Sequence, residues 1–269
     1  MIKKVIHISD LHVRTFKRHE EYQEISVEFF KSVKKEISGF SKEEIRIVIV
    51  GDLVHQKITI SNEQLTFIAW FLKRCAKLAP TIIIAGNHDL LENNKDRLDS
   101  LTPVITLMDN PDIKFYKESL CYVDDNIVWC NYSIFEENKR PDIEAARLEN
   151  PNKTFIGLLH APMVGATTNL GYEFEDGVEV DNFDGCDIVM LGDIHKRQQI
   201  NKDNVPIWYP SSLIQQDFGE SISKHGYLLW DIETKVPEEK DIISEYGFYK
   251  FKISSLDDIE NNGEELLNP

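Results

Sequence analysis

The chain has 269 residues, 42% of them hydrophobic, and a formal net charge of −16. That size suits one large domain with a full core, or one domain and a small appendage, while the charge argues against a general electrostatic grip on nucleic acid. Four scattered cysteines without a C-x-x-C pair argue against a disulfide framework, and neither a signal peptide nor a run of about 20 apolar residues is found. The expectation is a soluble, cytoplasmic protein with no membrane contact.

Short β-branched runs alternate with longer amphipathic stretches. Lys3–Ile8 reads as a strand and Glu20–Ser38 as a helix; Arg46–Val50 follows as a buried strand. Ser61–Ala79 reads as a helix capped by Ser61, and Thr81–Ala85 as a third buried strand after Pro80. This βαβαβ opening implies a parallel sheet with crossover helices. The second half is richer in strands: Ile113–Tyr116, Leu120–Val123, Ile127–Asn131, Thr154–Leu159, Ile188–Leu191, Ile207–Tyr209 and Tyr227–Ile232. Asp124-Asp125-Asn126 reads as a hairpin turn and Asp142–Glu149 as a helix. The connection from Ala161 to Cys186 is long and glycine-bearing, a length that commonly serves function. Residues 231–269 hold eleven Asp/Glu against four Lys/Arg, so the tail concentrates negative charge.

The chemistry sits at the strand ends. The first strand ends in Ser9-Asp10-Leu11-His12, the second in Gly51-Asp52-Leu53-Val54-His55, and the third in Gly86-Asn87-His88-Asp89. Later strands end in Leu158-Leu159-His160 and Leu191-Gly192-Asp193-Ile194-His195. Five of the eight histidines lie in these motifs, at the carboxyl ends of strands where open α/β sheets bind ligands. His7 and His225 read instead as structural or surface residues. A strand-end Asp alone is usually a cap or turn former; the joint occurrence of all five has no packing purpose. Carboxylate, amide oxygen and imidazole without thiolate suit Mn²⁺, Mg²⁺ or iron rather than structural zinc. Two such ions sharing a carboxylate can clamp the attacking and leaving oxygens of a displacement at phosphorus. Neither a P-loop nor a G-x-S-x-G elbow occurs. Basic residues Arg14, Lys17, Arg18, Lys57, Lys95, Arg97, Lys196 and Arg197 fall beside the motifs, as phosphate contacts or as solvated surface.

The five motifs resemble those of the calcineurin-like metallophosphoesterase superfamily, an α/β sandwich of two β-sheets flanked by helices. Within it the chain is similar to the SbcD family of DNA-repair nucleases. His55 in the second motif, Leu191–Gln198, and Tyr209-Pro210-Ser211-Ser212-Leu213 followed by Asp217-Phe218-Gly219-Glu220 carry the narrower likeness, which covers about residues 1–235. The resemblance implies a metal-dependent DNA nuclease in double-strand-break repair or recombination. Its cofactors would be two divalent ions, Mn²⁺ with Mg²⁺ as the other choice. Asp10, His12, Asp52 and His195 would hold the first ion, and Asp52, Asn87, His160 and Asp193 the second. His88, oriented by Asp89, would stabilise the transition state or protonate the departing oxygen, and His55 would meet the phosphate or its nucleotide. DNA and an SbcC-like SMC-family ATPase are the implied partners, with a homodimer as a further assembly. Asp193 stands where the family usually has His. Residues 1–240 are read as the nuclease domain and 241–269 as an acidic C-terminal extension, with Phe248–Ile253 opening a capping domain. Two other readings stay open: a phosphoesterase for a small phosphodiester or phosphoprotein, and a scaffold that keeps the fold without metals.

Overall fold

The β-branched runs at the start of the chain form the middle of a six-stranded sheet. In the computed structural model, which describes residues 1–94, 96–136, 138–200, 205–250 and 253–256, β1 (Lys4–Ile8), β2 (Ile45–Val50) and β3 (Thr81–Ile84) lie parallel. The crossovers are α1 (His19–Glu36) and α2 (Asn62–Leu78). The Ser61 hydroxyl accepts the Gln64 N–H at 3.2 Å, the cap that the sequence predicts. β2 is buried at every position because both its faces are covered. Ile45, Ile47 and Ile49 pack with Phe29 and Phe71 of the helices, whereas Val48 and Val50 face a second sheet. α3 (Thr102–Met108) and β4 (Ile113–Phe115) continue the first sheet beyond β3.

The second sheet starts with β5 (Cys121–Asp124) and β6 (Ile127–Tyr132), a hairpin whose turn residue Asp125 adopts φ 51°. After α4 (Ile143–Glu149) come β7 (Thr154–His160), β8 (Ile188–Gly192), β9 (Gln198–Gln199) and β10 (Ile207–Tyr209). Their spatial order is β5-β6-β7-β8-β10-β9, with β6, β7, β8 and β10 parallel. The chain then returns to the first sheet, where β11 (Gly226–Asp231) and β12 (Val236–Asp241) give the order β12-β11-β1-β2-β3-β4. This is the expected α/β sandwich.

Between the sheets Val5, Val50, Ile84, Trp129, Leu158, Met190 and Trp230 form one apolar layer. At about 25 cal/mol per Å² of apolar area, that layer is the main force holding the sheets face to face. His7 bridges it: its Nε2–H donates to Leu191 O at 2.9 Å, joining β1 to β8. Burial depresses its pKa to about 3, so it stays neutral. His225 is also buried, between Ser212 and Ser221 O; both histidines are structural, and neither is a surface residue. In Phe248–Ile253, read as a strand, residues 248–250 and 253 are irregular, while 251 and 252 lie outside the described residues, as does Lys95. Among the described residues, no helix is long and apolar enough to cross a membrane.

Candidate metal centre

The carboxyl ends of β1, β2 and β3 in one sheet meet those of β7 and β8 in the other. The exits of β1, β2 and β8 turn sharply, with left-handed backbone at Asp10 (φ 56°), His12 (φ 47°), Asp52 (φ 55°) and Asp193 (φ 96°). Such conformations cost about 1–3 kcal/mol each and persist only where the surroundings fix them. Here they are fixed by bonds between exits: Asp10 N–H to Gly51 O (3.1 Å), His12 N–H to Asp52 O (2.9 Å) and Val13 N–H to Leu53 O (2.9 Å). The Asp193 N–H reaches both oxygens of Asp10 at 3.2 Å.

The side chains converge tightly. Asp10 Oδ1 lies 3.8 Å from His12 Nε2, 3.7 Å from His195 Nε2 and 4.0 Å from His160 Nε2. Asp52 Oδ2 lies between His160 Nε2 at 3.3 Å and His12 Nε2 at 3.4 Å. Its other oxygen accepts the His88 backbone N–H at 2.8 Å. Asp193 Oδ1 stands 3.8 Å from His160 Nε2, and His12 Nε2 is 3.0 Å from His195 Nε2. Asp52 is thus central to the cluster, where a shared ligand has to be.

The donors fit cations. His160 Nδ1–H donates to Val50 O at 2.8 Å, which fixes the ring and leaves Nε2, once deprotonated, as the nitrogen able to bind a cation. That buried nitrogen has no hydrogen-bond partner although three carboxylates surround it, and Asn87 Oδ1 is likewise buried and unpartnered. Lone pairs aimed at one another repel unless a positive charge lies between them. Burial alone would lower the His160 pKa, but Asp52, Asp10 and Asp193 outweigh it and raise it well above the ordinary imidazole range. Burial raises Asp10 to about 6 and also lifts Asp193, whereas His160 and His12 overcome burial to hold Asp52 far below the usual carboxylate range. Gly86 keeps the space open: a Cβ there would lie 2.2 Å from Asp52 Oδ1 and 2.7 Å from His160 Nε2.

A model of the calcineurin-like phosphoesterase family matches residues 3–197, which include every one of these candidate ligands. The chain belongs to the calcineurin-like phosphoesterase family. An uncharacterized protein of Acanthamoeba polyphaga mimivirus is similar to it, 38% identical over 259 residues. That match covers 94% of this chain and 19% of the viral protein, so the chain spans under a fifth of its relative. Calcineurin-like phosphoesterases bind two divalent metals and hydrolyse phosphoesters, and this chain is a metal-dependent hydrolase domain of that kind.

His12 also belongs to a further group with His55 and His88, whose ring nitrogens come close together. The side formed by His55 and His88 suits an anion better than a cation. Arg14 donates to His55 Nε2 at 3.1 Å, and a guanidinium so near repels a metal. Burial, then Arg14 and His88, lower the His55 pKa to about 4. The His88 ring stacks on His55 and donates from Nδ1 to His55 O at 2.6 Å. Asp89 is therefore not what orients His88. Its carboxylate is fully buried and accepts the backbone N–H groups of Asp52 (2.8 Å), Gly86 (2.9 Å) and Val54 (3.0 Å). Asp89 clamps the second and third motifs together, a task set by where its side chain points after the turn.

Glu220 is a candidate site residue that the motifs do not announce. Its Oε1 accepts from His195 Nδ1 at 2.5 Å, while Oε2 accepts from Gln216 N–H (2.8 Å) and the Ser212 hydroxyl (3.2 Å). Burial would lower the His195 pKa, but the Glu220 bond and Asp10 raise it to about 9. The signal available was the acid in Asp217-Phe218-Gly219-Glu220, read only as a likeness to the family. Of the flanking basic residues, several are spoken for. Arg18 pairs with Glu21, Lys57 with Glu92, and Arg197 with Asp241 and Glu239. Arg97 donates to Ile58 O and Lys196 to Thr167 Oγ1, while Lys17 is exposed. Among the described residues, Arg14 is the cation in the cavity that His12, Asp52, His55 and His88 line.

Proposed function

We propose that this domain is a two-metal DNA nuclease that hydrolyses phosphodiester bonds in double-strand-break processing, repair or recombination, alongside an SMC-like ATPase of the SbcC kind. The observation that carries the reading is one cavity of about 260 Å³ lined both by His12, Asp52, Asp193 and His195 and by Arg14, His55 and His88. Cation-binding and anion-binding groups that share one cavity suit a phosphodiester substrate. Asp10, His12, Asp52 and His195 would hold one ion; Asp52, Asn87, His160 and Asp193 would hold the other. When bound, Mn²⁺ or Mg²⁺ supplies a nucleophile from water near neutral pH and neutralises charge on the phosphoryl oxygens. Arg14 and His55 bind the phosphate; His88 delivers a proton to the departing oxygen or stabilises its charge. Asp89 and Glu220 hold this machinery in position.

A second reading, a phosphoesterase for a small phosphodiester or a phosphoprotein, is favoured by the net charge of −16 and by the pairing of Arg18, Lys57 and Arg197 with acids. One experiment separates them: Mn²⁺-dependent cleavage of end-labelled duplex and hairpin DNA, compared with bis-p-nitrophenyl phosphate and cyclic nucleotides. Cleaved DNA supports the nuclease. Hydrolysis of small diesters with intact DNA, in the presence or absence of the ATPase, refutes it.

A further inference from the structure

A second cavity, of about 500 Å³, opens directly beside the metal centre, with Asp193 and His195 in its wall. Its remaining wall is unlike the centre itself. Leu170, Tyr172, Phe174 and Ile194 line it, and Lys196 stands at its side. Leu170 and Tyr172 are 78% and 62% exposed, so two large apolar side chains are held in water within reach of candidate metal ligands. They lie at the tip of a small hairpin in the long 161–186 connection. Thr167 bridges to Glu173, Phe174 N–H bonds to Ala166 O (2.9 Å), and Thr168 N–H bonds to Tyr172 O (2.8 Å). This tip is anchored to the segment that carries the ligands: Lys196 Nζ donates to Thr167 Oγ1 at 2.7 Å, and Thr167 N–H donates to the Gln198 amide oxygen at 2.9 Å. The aromatic pair is itself braced, with the rings of Tyr172 and Phe174 edge to face at 5.0 Å.

We infer that this shelf stacks the unpaired nucleobase of the nucleotide whose phosphate occupies the centre, an inference that rests on the phosphodiesterase reading above. Water-exposed apolar side chains next to a catalytic cavity are costly unless something covers them during turnover. An aromatic face accepts any base, because every base offers a π-surface. Lys196 supplies the positive charge for a neighbouring phosphate, and Asn169 and Asp217 on the rim offer hydrogen-bond groups to a base edge. A base fits here only when swung out of a duplex, so the shelf selects single strands, frayed ends and hairpin loops.

The test uses the full chain with Mn²⁺ and two substrates that differ only in the base. These are thymidine 5′-p-nitrophenyl phosphate and the same diester on 1,2-dideoxyribose. Base stacking on an aromatic side chain is worth about 5- to 150-fold, so KM should be about tenfold or more lower for the thymidine ester, with kcat little changed. Tyr172→Ala and Leu170→Ser should bring the KM ratio close to one, and Tyr172→Phe should restore it. Equal KM values in the wild type, or a ratio that survives both substitutions, would overturn the shelf while leaving the phosphodiesterase reading standing. Failure to hydrolyse either ester would overturn that reading and the shelf together.

Discussion

Replacing Glu220 with glutamine removes one charge and one acceptor from behind the His195 ring while hardly changing the side chain's shape. The carboxylate accepts from His195 Nδ1 through one oxygen and from Gln216 N–H and Ser212 through the other. An amide has a single oxygen. Turned toward His195, it sets its NH₂ against the Gln216 N–H; turned the other way, it sets NH₂ against the imidazole N–H. One charge-assisted bond, worth about 1.5–3 kcal/mol, is lost in either case. That range is equivalent to the roughly 10–100-fold in affinity typical of a partner that orients a metal-binding histidine. Competition titration of Mn²⁺ against a chelating dye, at pH 8, should find one of the two sites weakened by that factor and the other retained. Circular dichroism should report an unchanged fold. If both dissociation constants stay within twofold of wild type, Glu220 does not position a ligand.

Asp193→Ala should lose one metal equivalent by mass spectrometry, and Asp193→His should stay active with greater tolerance of zinc; two metals and normal rates in the alanine variant would remove Asp193 from the ligand set. His88→Ala should lower kcat by about 10²–10⁴ while retaining both metals, and metal loss would show it to be a ligand. His7 offers a test of stability. With its pKa depressed from 6.5 to about 3 by burial, the unfolded chain takes up a proton between those values that the folded chain refuses. The stability it contributes is therefore full above pH 6.5 and is lost as pH falls toward 3. His7→Gln should flatten the urea midpoint between pH 6.5 and 4, and an unchanged slope would refute this.

The ligand positions could be read from the sequence because strand and exit differ so sharply in chemistry. Ile47-Val48-Ile49-Val50 can only be a doubly buried strand, and Gly51-Asp52 after it has no place in the core. Position in the chain, however, does not reveal which way a side chain points after a tight turn. Asp89 neighbours His88 in sequence, yet its carboxylate turns inward to three backbone N–H groups. Glu220 lies 25 residues from His195 and meets it only through the fold. β12 carries no strand pattern for another reason: Pro237, Glu238, Glu239 and Lys240 are the charges and proline that guard an edge strand. α3 is short, and its start is set by Asp99, which accepts from the Leu101 and Thr102 N–H groups. Cys121 and Cys130 appear scattered in the sequence, whereas the strand register sets them opposite each other, with sulfurs 3.5 Å apart.

The split of the centre between two sheets also has a consequence in time. A ribosome delivers Asp10, Asp52 and Asn87 early, but Asp193 is 183 residues behind Asp10, and β11, which pairs with β1, emerges later still. Contacts between such distant segments form slowly, after local helices and hairpins are in place. A growing chain therefore passes through a long interval in which half the ligands exist and none can work together. The candidate centre is completed abruptly, when the second sheet docks on the first. Until then the partly made chain holds only one half of that centre, on the first sheet.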